Sequence, residues 1–174
     1  MDLKTFLEKN YPIDSLNKVI LDLSNAAIKI SNSIRNNYKL ENKKETSQNA
    51  DGDKQKPLDI FADESIFQSI NNSSVAAYCS EEQEGMTTLD ENGKYVIFCD
   101  PLDGSSNIDN NISIGTIFSV LPFDKASAEK SLKQNGKSQL CAGFFVYGPQ
   151  TTLILSLGKG VHSFYYDYKN NQFN

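Results

Sequence analysis

Asp100-Pro101-Leu102-Asp103-Gly104-Ser105-Ser106-Asn107 follows directly on the apolar run Tyr95 to Cys99. The run reads as a short buried strand, and it delivers acids at its C-terminal end. Two carboxylates three residues apart across a Pro-containing turn can point into the same space. Gly104, Ser105 and Ser106 then offer successive backbone N–H groups and two hydroxyls, a sequence suited to a nest or helix N-terminus that cradles an anion. Carboxylates beside such a cradle repel an anion unless a cation lies between them. Mg²⁺ is the natural bridge, being a hard ion usually held by one or two carboxylates and a substrate phosphate.

Outward from this run, Val75 to Cys79 reads as a second strand ending in Ser80-Glu81-Glu82. Adjacent strand residues face opposite sides, so Glu81 and Glu82 are expected to take different roles. Residues 112–121 read as a third strand, and 151–157 with 161–168 as a hairpin around Gly158-Lys159-Gly160. Residues 123–137 read as a polar connection, while 140–147 are apolar without clear alternation and leave helix and strand open. Leu16, Ile20, Leu23, Ala27, Ile30 and Ile34 step by four and three, which predicts a helix over 14–38 packed against a sheet. A second helix is expected over 58–70, with Asp59 and Asp63 one turn apart on one face. Between them, residues 41–56 are almost wholly polar and predict a mobile loop or lid carrying Asp51-Gly52-Asp53. The mixture is α/β or α+β, helices layered on a sheet.

The 174 residues fit one domain with a real core. Seventeen Lys and Arg against 22 Asp and Glu give a net charge of -5 without a basic block, which argues against nucleic-acid binding. A single histidine, His162, rules out the His-rich zinc motifs, so any metal must be held by carboxylates. Cys79, Cys99 and Cys141 are odd in number and widely spaced, which fits small core residues in a reducing, cytoplasmic setting. No signal-peptide pattern opens the chain, and no apolar run approaches the length a bilayer needs.

The run from Asp100 to Asn107, continued through Ile108-Asp109 and Ser113-Ile114-Gly115-Thr116-Ile117-Phe118, resembles the signature of class I fructose-1,6-bisphosphatases. The D-P-L-D-G-[ST] core alone is shared with inositol monophosphatases and related Mg²⁺ phosphatases. The longer run, with Ser80-Glu81-Glu82, Gly93-Lys94-Tyr95-Val96 and Val146-Tyr147-Gly148-Pro149-Gln150, is specific to the fructose-bisphosphatase class and looks most like a bacterial member. The resemblance implies the N-terminal helix-on-sheet domain of the sugar-phosphatase fold over residues 1–174. It also implies Mg²⁺-dependent hydrolysis of the 1-phosphate of fructose 1,6-bisphosphate in gluconeogenesis or the Calvin cycle, with Mn²⁺ or Zn²⁺ as substitutes.

By the same resemblance, Glu81, Asp100, Asp103 and the Leu102 carbonyl are expected to bind the metal. Asp53 is expected to join from the loop, and Glu82 with Asp59 to orient and deprotonate the attacking water. Asp103, Gly104, Ser105 and Ser106 are expected to hold the 1-phosphate. The implied partners are a phosphorylated sugar and further copies in a homotetramer, with no nucleic acid or membrane. The family's second half, which supplies another metal-binding glutamate, the sugar contacts and the 6-phosphate pocket, has no counterpart here, so the chain is read as a fragment. Sedoheptulose-1,7-bisphosphatase, whose motif is nearly the same, and a non-catalytic assembly partner are the alternatives. The stretch Asp14-Ser15-Leu16-Asn17-Lys18 departs from the AMP-binding run of vertebrate members. Nothing between Leu121 and Leu140 matches the thioredoxin-controlled insertion of chloroplast members.

Overall fold

The apolar stripe near the N-terminus forms a helix that sits where such a stripe should, against a sheet. The computed structural model describes residues 1–36 and 56–174. Helix α1 spans Leu3–Asn10, α2 Asp14–Arg35 and α3 Pro57–Ile70. The described part of α2 stops at Arg35 rather than Tyr38, which lies outside the described residues together with the stretch 41–55 and its Asp51-Gly52-Asp53. Helix α1 was not foreseen: it is short, with only Leu3, Phe6 and Leu7 buried, and is started by Asp2 accepting the Thr5 N–H at 2.9 Å. Pro57 opens α3 at the position where a missing N–H costs nothing.

Among the described residues, eight strands form one sheet in the order β2-β1-β3-β4-β5-β6-β7-β8. They are β1 Val75–Ser80, β2 Thr87–Thr88, β3 Tyr95–Asp103, β4 Ile114–Pro122, β5 Cys141–Tyr147, β6 Thr151–Ser156, β7 Val161–Asp167 and β8 Gln172–Phe173. The ambiguous stretch 140–147 is therefore a strand, set between β4 and β6. Its missing alternation has a physical cause: Phe144 lies on the open face while Phe145 enters the core, so both faces are apolar. The hairpin of β6 and β7 turns on Gly158 and Gly160, both at positive φ. The polar connection after β4 holds a short helix α4, Ala128–Leu132, and a 3-10 turn, Gly136–Ser138.

All described neighbours in the sheet are antiparallel except β1 and β3, which run parallel. Parallel strands place their C-terminal ends side by side, so the two acidic segments leave the sheet at the same edge. Helices α2 and α3 cover one face, where Ile20, Leu23, Ile30, Ile66 and Ile70 pack with Tyr78, Ile97, Phe118, Phe145 and Leu153. The opposite face carries Phe98, Ile117, Phe144, Ile154 and Val161 around a shallow groove of about 720 Å³. This is the α/β helix-on-sheet layering expected, with one side of the sheet left open among the described residues.

Candidate active site

The register of the parallel pair builds the site. Ser80 is opposite Cys99, and the Glu81 N–H donates to the Cys99 carbonyl at 3.0 Å, which brings Glu81 alongside Asp100. Glu81 and Glu82 lie in the turn that follows β1, so they do not alternate as strand residues, and the expected division of their roles by strand faces does not apply.

A buried carboxylate anchors this turn. Asp63, on the sheet-facing side of α3, is 6% exposed and accepts from Tyr78 Oη at 2.8 Å, Ser80 Oγ at 2.6 Å and the Gln83 side-chain amide. Ser80 Oγ in turn accepts the Glu82 N–H at 3.2 Å. The placement of both glutamates therefore rests on a residue for which the sequence had suggested only a helix face.

Strand β3 does not end at Asp100 as expected but continues to Asp103. Asp100 pairs with Ile117 and Asp103 with Gly115, so Pro101 and Leu102 together oppose the single residue Thr116. This is a bulge, the place in a sheet interior where a proline without an N–H fits. The Leu102 N–H donates to Asp100 Oδ1 at 3.1 Å. Asp100 is raised to about 7, first by burial, then by the charge of Glu81 and a hydrogen bond shared with it, then by Asp103.

Gly104 follows at φ 75, a left-handed conformation that spares glycine the strain of a Cβ, and starts a 3-10 turn, Ser105–Asn110. The expected helix N-terminus is thus present in its tighter form. Gly104 and Ser105 are half-buried, while Asp103 and Ser106 are exposed.

Asp59 stands in the first turn of α3, 3% exposed, with Oδ2 accepting the Lys56 N–H at 2.6 Å. Its Oδ1 is buried without a hydrogen-bond partner. Burial raises its pKa, against the Lys56 amide, the nearby Ser105 side chain and the Lys56 charge, which all favour the anion. The Lys56 Nζ donates to the Ser105 carbonyl at 3.1 Å and to Asp109 Oδ2 at 2.9 Å. Lys56 thus ties α3 to the turn of Ser105–Asn110, a link hidden in the sequence because Lys56 closes a long polar run.

The predicted residues fall into two groups joined through the chain from Asp103 to Ser105: Glu81, Asp100 and Asp103 on one side, and Asp59 with Ser105 on the other. Asp53 lies outside the described residues. The donors of the first group are oxygen only, the chemistry Mg²⁺ prefers; burial, and then the charges of Glu81 and Asp103, raise Asp100. Among the described residues no three acidic, His or Cys side chains are grouped closely enough to hold a metal ion as they stand. Of the cysteines, Cys99 and Cys141 are buried as expected, whereas Cys79 is half-buried and lines the open groove. No helix among the described residues is long and apolar enough to cross a membrane.

Residues 6–174 match the family model described as the N-terminal domain of fructose-1-6-bisphosphatase. The class 1 fructose-1,6-bisphosphatase of Rhizobium meliloti (strain 1021) is 54% identical over 119 residues, covering 67% of this chain and 34% of that protein. That of Neisseria meningitidis serogroup B is 46% identical over 124 residues, covering 70% of this chain and 38% of that protein. The alignments thus span little more than a third of these relatives. The fructose-1,6-bisphosphatase of Leishmania major in holo form superposes with a TM-score of 0.90 at 31% identity, over 99% of this chain and 57% of that one. Its apo form gives 0.83.

Proposed function

Because the chain belongs to the fructose-1,6-bisphosphatase family, we propose that it carries the metal- and 1-phosphate-binding part of a Mg²⁺-dependent phosphatase acting on fructose 1,6-bisphosphate. The observation that supports this most is the parallel register of β1 and β3, which sets Glu81 beside Asp100 at the mouth of the anion cradle. Glu81, Asp100, Asp103 and the Leu102 carbonyl would hold the cation, with Asp53 as a further ligand. When bound, the cation supplies charge neutralisation at the phosphoryl oxygens and an acidified water.

The chain's own residues do the rest. Gly104, Ser105 and Ser106 receive the phosphate with backbone N–H groups and hydroxyls, and Asp103 orients it. Asp59 and Glu82 hold the attacking water and take its proton. The buried Oδ1 and a pKa raised by burial make Asp59 a better proton acceptor than an ordinary carboxylate. Lys56 keeps Asp59 and the Ser105 carbonyl at a fixed separation. A homotetramer, a cytoplasmic setting and a place in gluconeogenesis or the reductive pentose cycle belong to the same proposal. So does the treatment of residues 1–174 as one domain.

The test is phosphate release by the chain joined to the remaining residues of the Rhizobium meliloti relative, with fructose 1,6-bisphosphate and sedoheptulose 1,7-bisphosphate at equal concentration, with and without EDTA. Turnover of the fructose ester that EDTA abolishes is expected. Preference for the seven-carbon ester would overturn the substrate, and activity indifferent to EDTA would overturn the metal. A folded chimera inactive on both would favour the non-catalytic reading.

A further inference from the structure

The bulge that carries Asp100, Leu102 and Asp103 has a support of its own on the neighbouring strands. Thr116 is the single residue opposite Pro101 and Leu102. The bulge interrupts the ladder here, and the Thr116 side chain satisfies the Pro101 carbonyl: its Oγ1 donates to that oxygen at 2.8 Å. Tyr147 Oη lies 2.7 Å from the same Oγ1. A hydroxyl has one proton. With that of Thr116 given to Pro101, Tyr147 must be the donor, and the relay runs Tyr147 to Thr116 to Pro101. Thr116 is 2% exposed and Tyr147 5%, so no water competes and each lost bond would leave a buried polar group.

We propose that the Tyr147–Thr116–Pro101 relay is a positioning device that sets the bulge, and through it the aim of the Asp100 carboxylate and the Leu102 carbonyl at the metal. The second half of this statement rests on the ligand assignment under Proposed function. Neither Thr116 nor Tyr147 touches substrate or metal in this account. They act as the hydrogen-bonded partners behind metal ligands do, by removing alternative orientations.

The test uses Mn²⁺ binding by electron paramagnetic resonance, together with hydrogen exchange at the Leu102 and Asp103 amides in metal-free protein. Thr116→Val removes the relay at constant shape and is expected to weaken Mn²⁺ binding by about tenfold or more and to speed exchange at both amides. Thr116→Ser keeps the hydroxyl and should restore both. Leu155→Ala, a core truncation on β6, controls for plain destabilisation and should leave Mn²⁺ affinity unchanged. Wild-type behaviour of the Val variant, or an equal loss in the Leu155 control, overturns the proposal. Where Thr116→Val fails to fold, Tyr147→Phe decides on the same readouts. Wild-type protein that binds no Mn²⁺ refutes the ligand assignment, and amide exchange then still decides whether the relay holds the bulge.

Discussion

Asp100 has a folded pKa of about 7, above its ordinary range, because burial, Glu81 and Asp103 all disfavour its charge. The folded chain therefore binds more protons than the unfolded chain between the ordinary carboxylate pKa and about 7, and stability falls as pH rises through that window. Asp100→Asn removes the repulsion. After discounting for the water that screens a half-exposed group, metal-free Asp100→Asn should melt roughly 2 °C above the parent at pH 8, with the gain gone at pH 5. Calorimetry at the two pH values checks this, and a lower melting temperature at pH 8 contradicts it. Gly104 makes a different demand. At φ 75, with the Asn107 side-chain nitrogen 3.2 Å from where a Cβ would stand, Gly104→Ala should cost about 1 to 2 kcal/mol in urea unfolding.

Among elements, α3 binds the site together. It carries Asp59 and Asp63, and Lys56 at its N-terminal cap reaches the Ser105 carbonyl. Asp63→Ala would strand the donors of Tyr78, Ser80 and Gln83, for a loss of about 3 kcal/mol in chemical denaturation. Asp63→Asn, which still offers an acceptor oxygen, should lose less. An Asp63→Ala variant as stable as the parent would deny the anchor. Much of this was legible beforehand: the acids at two strand ends, the glycine after Asp103 and the one-turn spacing of Asp59 and Asp63 all read from local chemistry. What escaped was the support. The Asp63 network and the Thr116 relay join residues on different elements, and register between distant segments leaves no local mark. The continuation of β3 through Pro101 was hidden for a related reason: a proline reads as a turn until a bulge gives it a place. The strand at 140–147 stayed ambiguous because it is apolar on both faces.

Over the whole molecule, the sheet is covered on one face only among the described residues. Ile117 and Phe144 are 46% and 42% exposed, beside Val161 at 69%. Patches of this kind bind apolar partners or dyes. The chain should therefore enhance anilinonaphthalene sulfonate fluorescence while keeping native circular dichroism, and Ile117→Ser with Phe144→Ser should reduce the dye signal severalfold without loss of secondary structure. An unchanged signal would place the dye elsewhere. In the proposed assignment, this one-sided sheet gathers carboxylates at the ends of β1 and β3 to hold a divalent cation. Mg²⁺ titration calorimetry at pH 6.5, in two buffers of different ionisation enthalpy, tests it most directly. Binding should release a substantial fraction of a proton from Asp100, with little release at pH 9 and no binding in Asp100→Asn. Mg²⁺ binding that is equally tight in Asp100→Asn, or that releases no proton at pH 6.5, would rule out Asp100 as a ligand.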